Sequence, residues 1–379
     1  MKPFVLSVFE MMKFSLTGCD APPPLPYRDQ VCNSETPSED NVSLYELSSF
    51  SGSILITMKT TLRTLFKMVR PVNIVITTIT LLIGYGLLQH NPTIPVLILQ
   101  ILGFACALGF ANIQNDILDL ESDKLNRPER PLVTGEVSVK AAKRAWVALA
   151  ITMLLCGLGD TIIQIVKFMN IVKDWDHALT FGIEGFIILT FPLWFFALLG
   201  ALLMAYNRKI KHTPLVKNMT VAFLCTTPLL FAVQHYFNFA NHDCPEEHMW
   251  AIIPAIPFAF LLTTAREIYK DIEDETGDLK VGIMTFPLIA GAKAARLLAA
   301  GIIVLTWFLL PVPVFFMDSV YNYNYPPQFL IITGITLTPC FIYTLVQARR
   351  HKYHHAQSAL KIAMLWGLTA LIACDISVL

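Results

Sequence analysis

Two sets of acidic residues in this chain are spaced to do metal chemistry. Asn115, Asp116, Asp119 and Asp123 stand in NDILDLESD (115–123), and Asp271, Asp274 and Asp278 stand in DIEDETGD (271–278). The three aspartates of each set follow an i, i+3, i+7 spacing, which places them on one face of a helix. Asn115 lies one turn before Asp119, and Glu267 extends the second stripe by one turn. Carboxylates crowded beside an apolar core repel one another unless cations neutralise them. Hard oxygen ligands select Mg²⁺, which binds through one or two carboxylates and takes its remaining ligands from water and substrate phosphates. A single acidic face reads better as a solvated helix end. Two with the same spacing, each closing an apolar run, argue instead for Mg²⁺ ions gripping a diphosphate between them. Nearby basic side chains would then contact phosphate directly.

The elements that carry these acids are membrane helices. Of 379 residues, 55% are hydrophobic and 15% charged, well below the roughly 25% charge of soluble domains. A helix needs about 20 apolar residues to cross the hydrocarbon core. Nine windows qualify, near 72–89, 94–114, 141–158, 184–205, 219–238, 249–267, 294–317, 328–346 and 358–377. Pro311 and Pro313 should kink or end the seventh. The expected fold is all-α, with nine transmembrane helices around a central cavity under a cytoplasmic cap. Lys and Arg collect before the first window and after the second, fourth, sixth and eighth. By the positive-inside rule these loops and the N-terminus are cytoplasmic, and the C-terminus lies on the far side. Both acidic sets follow even-numbered windows, so both belong at the cytoplasmic face.

Residues 1–58 differ from the rest, and 59–379 form the membrane domain. The stretch CDAPPPLPYRDQVCNSETPSEDNVS is expected to be disordered, with the apolar opening either surface-lying or also disordered. A net charge of zero gives a nucleic-acid partner no electrostatic support. The eight cysteines form no CxxC pair and read as small buried hydrophobes, with no zinc site or disulfide framework. The His-rich RRHKYHHAQ (349–357) reads as a solvated basic loop, and His235, His242 and His248 lack ligand spacing. Asp375 is placed near the far interface and Glu184 at the start of the fourth span. The stretch 160–182 is expected to lie in the interface as an amphipathic helix.

A diphosphate held at the mouth of an apolar bundle implies a long hydrocarbon tail, as in an isoprenyl diphosphate. Its departure leaves an allylic cation, which needs a water-poor, aromatic-lined space. The two motifs resemble the NDxxDxxxD and DxxDxxxD signatures of the UbiA superfamily of intramembrane prenyltransferases. RPVN (70–73), NRPERPLVTGEVS (126–138) and YNRKIKHTPLVKN (206–218) are similar to that family too. The resemblance covers about residues 60–377. Within it, REIYKDIEDETGDLKVGIMTFP and YNRKIKHTPLVKN look most like the digeranylgeranylglyceryl phosphate synthase branch.

The resemblance implies Mg²⁺ as cofactor. It makes Asn115, Asp116, Asp119 and Asp123 one metal set, and Asp271, Asp274 and Asp278 the other. Asp116, Asp119, Asp271 and Asp274 would be central to catalysis. Arg130 and Lys211 would contact phosphate, Asn73 and Tyr206 would line the pocket, and Lys270 would bind phosphate or a neighbouring aspartate. Arg266 would act as Lys270 does. Two enzyme readings stay open: transfer of the prenyl group to a lipophilic acceptor, and cyclisation to a terpene without one. A cation transporter is the rival from another class. For a eukaryotic chain the endoplasmic reticulum is the favoured membrane.

Overall fold

The structure, a computed structural model, describes residues 62–171, 182–239, 250, 252–321 and 327–376. The extension 1–58, the acidic loop 241–248 and residues 172–181 lie outside that set, as do the side chains of Glu184 and Asp375.

Among the described residues every regular element is helical. In chain order they are α1 (Leu62–Met68), α2 (Pro71–Leu87), α3 (Ile94–Leu118), α4 (Leu120–Asn126), α5 (Pro131–Thr134), α6 (Val139–Ile171), α7 (Gly182–Leu189) and α8 (Phe191–Arg208). A 3₁₀ turn (Ile210–His212) leads to α9 (Val216–Phe239) and α10 (Ala255–Val281). Then come α11 (Phe286–Ala290), α12 (Ala292–Leu309), α13 (Val312–Tyr321), α14 (Gln328–Arg349) and α15 (Tyr353–Ile376). Proline occupies the first or second position of α2, α3, α5, α8 and α11. There its missing N–H costs nothing and its fixed φ favours the helix. Gly282 ends α10 at φ 73°, and the Ile283 N–H reaches back to the Asp278 carbonyl at 3.0 Å, a Schellman-type stop.

The helices pack as a bundle, with α3 along α6, α14 along α15, and α10 against α9, α12 and α15. Large apolar side chains point outward, among them Ile94 (74% exposed), Ile335 (70%) and Phe308 (78%). That is the pattern of a lipid-facing surface. Pro228 lies inside α9 and cannot supply the N–H that the Leu224 carbonyl would otherwise receive. The Thr227 hydroxyl donates to that carbonyl instead, at 2.7 Å.

Several expectations need correction. Among the described residues six helices are long and apolar enough to cross a membrane, or seven if the pair α1 and α2, bent by 56°, counts as one span. Among those residues the count of nine is not confirmed. The first window is broken from its lead-in at Arg70, the fourth is split at Thr190 into α7 and α8, and α10 carries the charged residues 266–280. As expected, the helix of the seventh window ends at Leu309 and restarts at Val312. Residues 160–171 continue α6 rather than forming a separate helix, and Asp160 is fully buried. There Gln100 and Gln164 donate to its two oxygens at 2.9 and 2.8 Å, and Tyr85 donates to Gln100 at 2.7 Å. His235 is buried beside this network, 3.9 Å from Asp160. Cys106 and Cys156 are buried as expected, but Cys225 is exposed.

Candidate active site

The first acidic set straddles a helix break. α3 ends at Leu118, Asp119 leaves helical geometry (φ −92°, ψ 7°), and α4 resumes at Leu120. The three aspartates therefore do not share one continuous helix. Side chains hold the set together. Arg130, at the start of α5, donates from Nη1 to Asp116 Oδ1 at 2.9 Å and to Asp123 Oδ2 at 2.5 Å. Arg70 Nη2 reaches Asp116 Oδ1 at 3.3 Å. Lys211 Nζ, from the 3₁₀ turn, meets Asp119 Oδ1 at 2.5 Å. Asp116 and Asp123 are buried. Burial pushes the Asp123 carboxyl above its ordinary value, against the pull of Arg130.

Arg70 sits at the α1–α2 bend in the left-handed region (φ 60°, ψ 70°). That conformation is costly for a side chain with a Cβ and persists only where the surroundings impose it. Pro71 follows directly, and Asn112 Nδ2 pins the Val69 carbonyl at 3.0 Å. The bend delivers the guanidinium to Asp116. A pocket of about 370 Å³ opens here, lined by Lys67, Arg70, Asp116, Arg127, Arg130 and Glu136 among others.

The second set does lie on one continuous helix, α10. Lys217 Nζ contacts Asp271 Oδ1 at 2.8 Å, and Asn218 Nδ2 donates to Asp271 Oδ2 at 2.9 Å. Arg266 pairs with Glu267. Asp278, beyond the apolar half of α10, has its carboxyl pushed up to about 6 by burial, opposed by Lys217. Asp274 and Lys270 are half-buried within electrostatic range of Asp278.

The two sets meet through the 3₁₀ turn and the first turn of α9. Lys211 grips the first set, while Lys217 and Asn218, close behind it in sequence, grip the second. Tyr206, at the end of α8, is within electrostatic range of Asp119 from one set and Asp271 and Glu267 from the other. Arg130 and Lys211, named by the sequence reading, contact the first set, and Tyr206 lies near both. Asn115 is half-buried at the end of α3, and Asn73 is exposed in the first turn of α2. The reading missed Arg70, Lys217 and Asn218. Their positions in RPVN and YNRKIKHTPLVKN, stretches the resemblance had already set apart, were the available signal.

Among the described residues no three His, Cys, Asp or Glu side chains converge into a metal cage. The carboxylates of the two sets are hard oxygen donors, the type that Mg²⁺ shares with phosphate ligands.

The family model described as the UbiA prenyltransferase family matches residues 77–166 and 177–324. The chain belongs to this family. Digeranylgeranylglyceryl phosphate synthase of Methanobrevibacter smithii is 30% identical over 307 residues, covering 81% of this chain and 95% of that protein. The Hyperthermus butylicus protein of the same name is 30% identical, covering 82% and 96%. A solved structure of a digeranylgeranylglyceryl phosphate synthase aligns with a TM-score of 0.58 at 24% identity, over 84% of this chain and 99% of that one. A UbiA homolog from Aeropyrum pernix aligns at 0.55 and 16%, over 81% and 97%. These two likenesses establish the fold. This UbiA-family chain is an integral, multi-pass membrane protein of the prenyltransferase class.

Proposed function

We propose that the chain ionises an isoprenyl diphosphate with Mg²⁺ and transfers the prenyl group to a lipophilic acceptor. The observation that carries this reading is the joining of two carboxylate sets by one basic segment, with Lys211 on Asp119 and Lys217 on Asp271. Asn115, Asp116, Asp119 and Asp123 on one side, and Asp271, Asp274 and Asp278 on the other, are the residues that would hold Mg²⁺. When bound, the metal neutralises the diphosphate and makes it a better leaving group. Arg130, Lys211 and Lys270, joined by Arg70 and Lys217, contact the phosphates. Arg70, Arg130, Lys211 and Lys217 already touch the acids, so the bound diphosphate enters an existing ionic lattice with little rearrangement. Tyr206 lies between the two sets and faces the developing allylic cation. Asn73 is exposed in the first turn of α2, three residues after Arg70.

The relatives' name supports a glyceryl phosphate lipid as acceptor, and so favours transfer over cyclisation. The site faces the cytoplasm and the N-terminus lies on that side, as the basic loops indicate. Residues 1–58 form an extension outside the catalytic domain. The test is a membrane assay supplying geranyl, farnesyl or geranylgeranyl diphosphate with Mg²⁺, with and without a prenylated glycerol phosphate. Acceptor-dependent release of diphosphate, absent in Asp116→Ala, is the expected result. A cyclic product formed without acceptor would overturn the transfer reading.

A further inference from the structure

Below the acids, three helices change from accessible to buried side chains at a common depth. On α2 no residue of 71–79 is buried, whereas Thr80, Leu81, Ile83, Gly84, Tyr85 and Leu87 are. On α9 one face carries Asn218, Cys225, Leu229 and Ala232, at i, i+7, i+11 and i+14. Asn218 bonds Asp271 at the site. The Cys225 thiol is accessible although protein surrounds it, within electrostatic range of Tyr206, Arg266 and Glu267. It therefore faces an internal space beside the acids. One turn deeper that space ends. Leu229 and Ala232 are fully buried against Gly84 of α2. A Cβ placed on Gly84 would fall 3.0 Å from the Ala232 Cβ and 3.4 Å from a Leu229 methyl.

α3 repeats the pattern. Below Asn115 its face runs through half-buried Ala111 and Leu108 to buried Phe104. The Phe104 ring packs 5.5 Å from Phe231, which in turn lies 4.7 Å from Phe195. Asn218 to Leu229 and Asn115 to Phe104 are each eleven residues, a depth of about 16 Å at the helical rise. The Tyr85–Gln100–Asp160–Gln164 network ties α2, α3 and α6 near this level. Fully bonded buried networks of that kind rigidify what they join.

We propose that Gly84, Leu229, Ala232 and Phe104 form the floor of the hydrocarbon pocket and set the longest prenyl diphosphate the enzyme accepts. The inference rests on the prenyl-diphosphate reading above. A close-packed floor does not yield to an extra isoprene unit, so a longer tail must bend or withdraw its diphosphate from the acids.

The experiment is a competition in membranes among geranyl, farnesyl, geranylgeranyl and geranylfarnesyl diphosphates at equal concentration, with product ratios read by mass spectrometry. Leu229→Ala deepens the pocket and should move the ratio toward the longer chain by about 10-fold or more. Gly84→Val raises the floor and should move it toward the shorter chain. If either variant fails to insert, Phe104→Leu and Phe104→Trp replace them, with the same directions expected. Active variants that keep the wild-type ratio overturn the floor and leave the diphosphate reading intact. A wild-type enzyme that turns over none of the four overturns that reading and the floor with it. Labelling of Cys225 by a methanethiosulfonate reagent reads the same space without turnover. The chain the wild type prefers should protect Cys225, with Cys225→Ser as the control.

Discussion

The two carboxylate sets have the same spacing and are held by opposite means. The second is organised by its backbone, since α10 runs unbroken through Asp271, Asp274 and Asp278. The first is broken at Asp119 and organised by side chains, with Arg130 bridging Asp116 and Asp123 across the break. Equal spacing in sequence therefore does not mean equal local structure. Where the helix supplies the register, a lysine and an amide suffice as partners. Where it does not, arginine's fixed fork of donors takes over the geometry.

The largest expected effect tests whether the sets are equivalent. Asp116→Ala and Asp271→Ala should each lower turnover by at least about 100-fold, assayed in membranes at saturating Mg²⁺ with insertion checked separately. Near-full activity in one of them would mean that a single set does the chemistry. Arg130→Met should follow. It removes the partner of two buried carboxylates and should cost about 3 kcal/mol of stability, the low end of that range because Arg70 still reaches Asp116. Thermal unfolding in detergent would show it, and an unchanged midpoint would refute the bridging role. Lys217→Met should cost less, about 1–3 kcal/mol, because Asn218 still donates to Asp271. A loss exceeding that of Arg130→Met would reverse the contrast drawn between the sets. Glu273→Gln should do least. Glu273 lies between Asp271 and Asp274 in sequence but turns outward to His354 and Gln357 at 3.1 and 2.5 Å. Exposed pairs of this kind contribute about 0.5 kcal/mol or less, so activity and midpoint should stay at wild type. A clear loss of turnover would extend the second set to a fourth carboxylate.

Much of the site was legible because its signals lie in short motifs. The i, i+3, i+7 spacing names the acids, Arg130 lies in the motif that follows the first set, and Lys211 lies in a third stretch set apart by the resemblance. Arg70 with Asp116 and Asn218 with Asp271 are separated by 46 and 53 residues, and no periodicity reports such pairings. The break at Asp119 was hidden because the acids alone fit an uninterrupted helix. The described helices do not by themselves confirm nine spans, for a related reason. Hydropathy windows do not see that Arg70 bends one segment or that Thr190 interrupts another. Asp160 looked interfacial because an acid in an apolar run seems to need water. Besides Gln164 one turn on, its partner Gln100 and the Tyr85 behind it come from other helices.

Pro228 and its companion Thr227 give α9 a joint that exposes no unpaired carbonyl to the hydrocarbon. Above the joint the helix carries Lys217 and Asn218, and below it Leu229 and Ala232. The lower segment can thus be exchanged like a fitted insert while the ionic end keeps its registration, and enzymes for tails of different length could diverge by rewriting that segment alone.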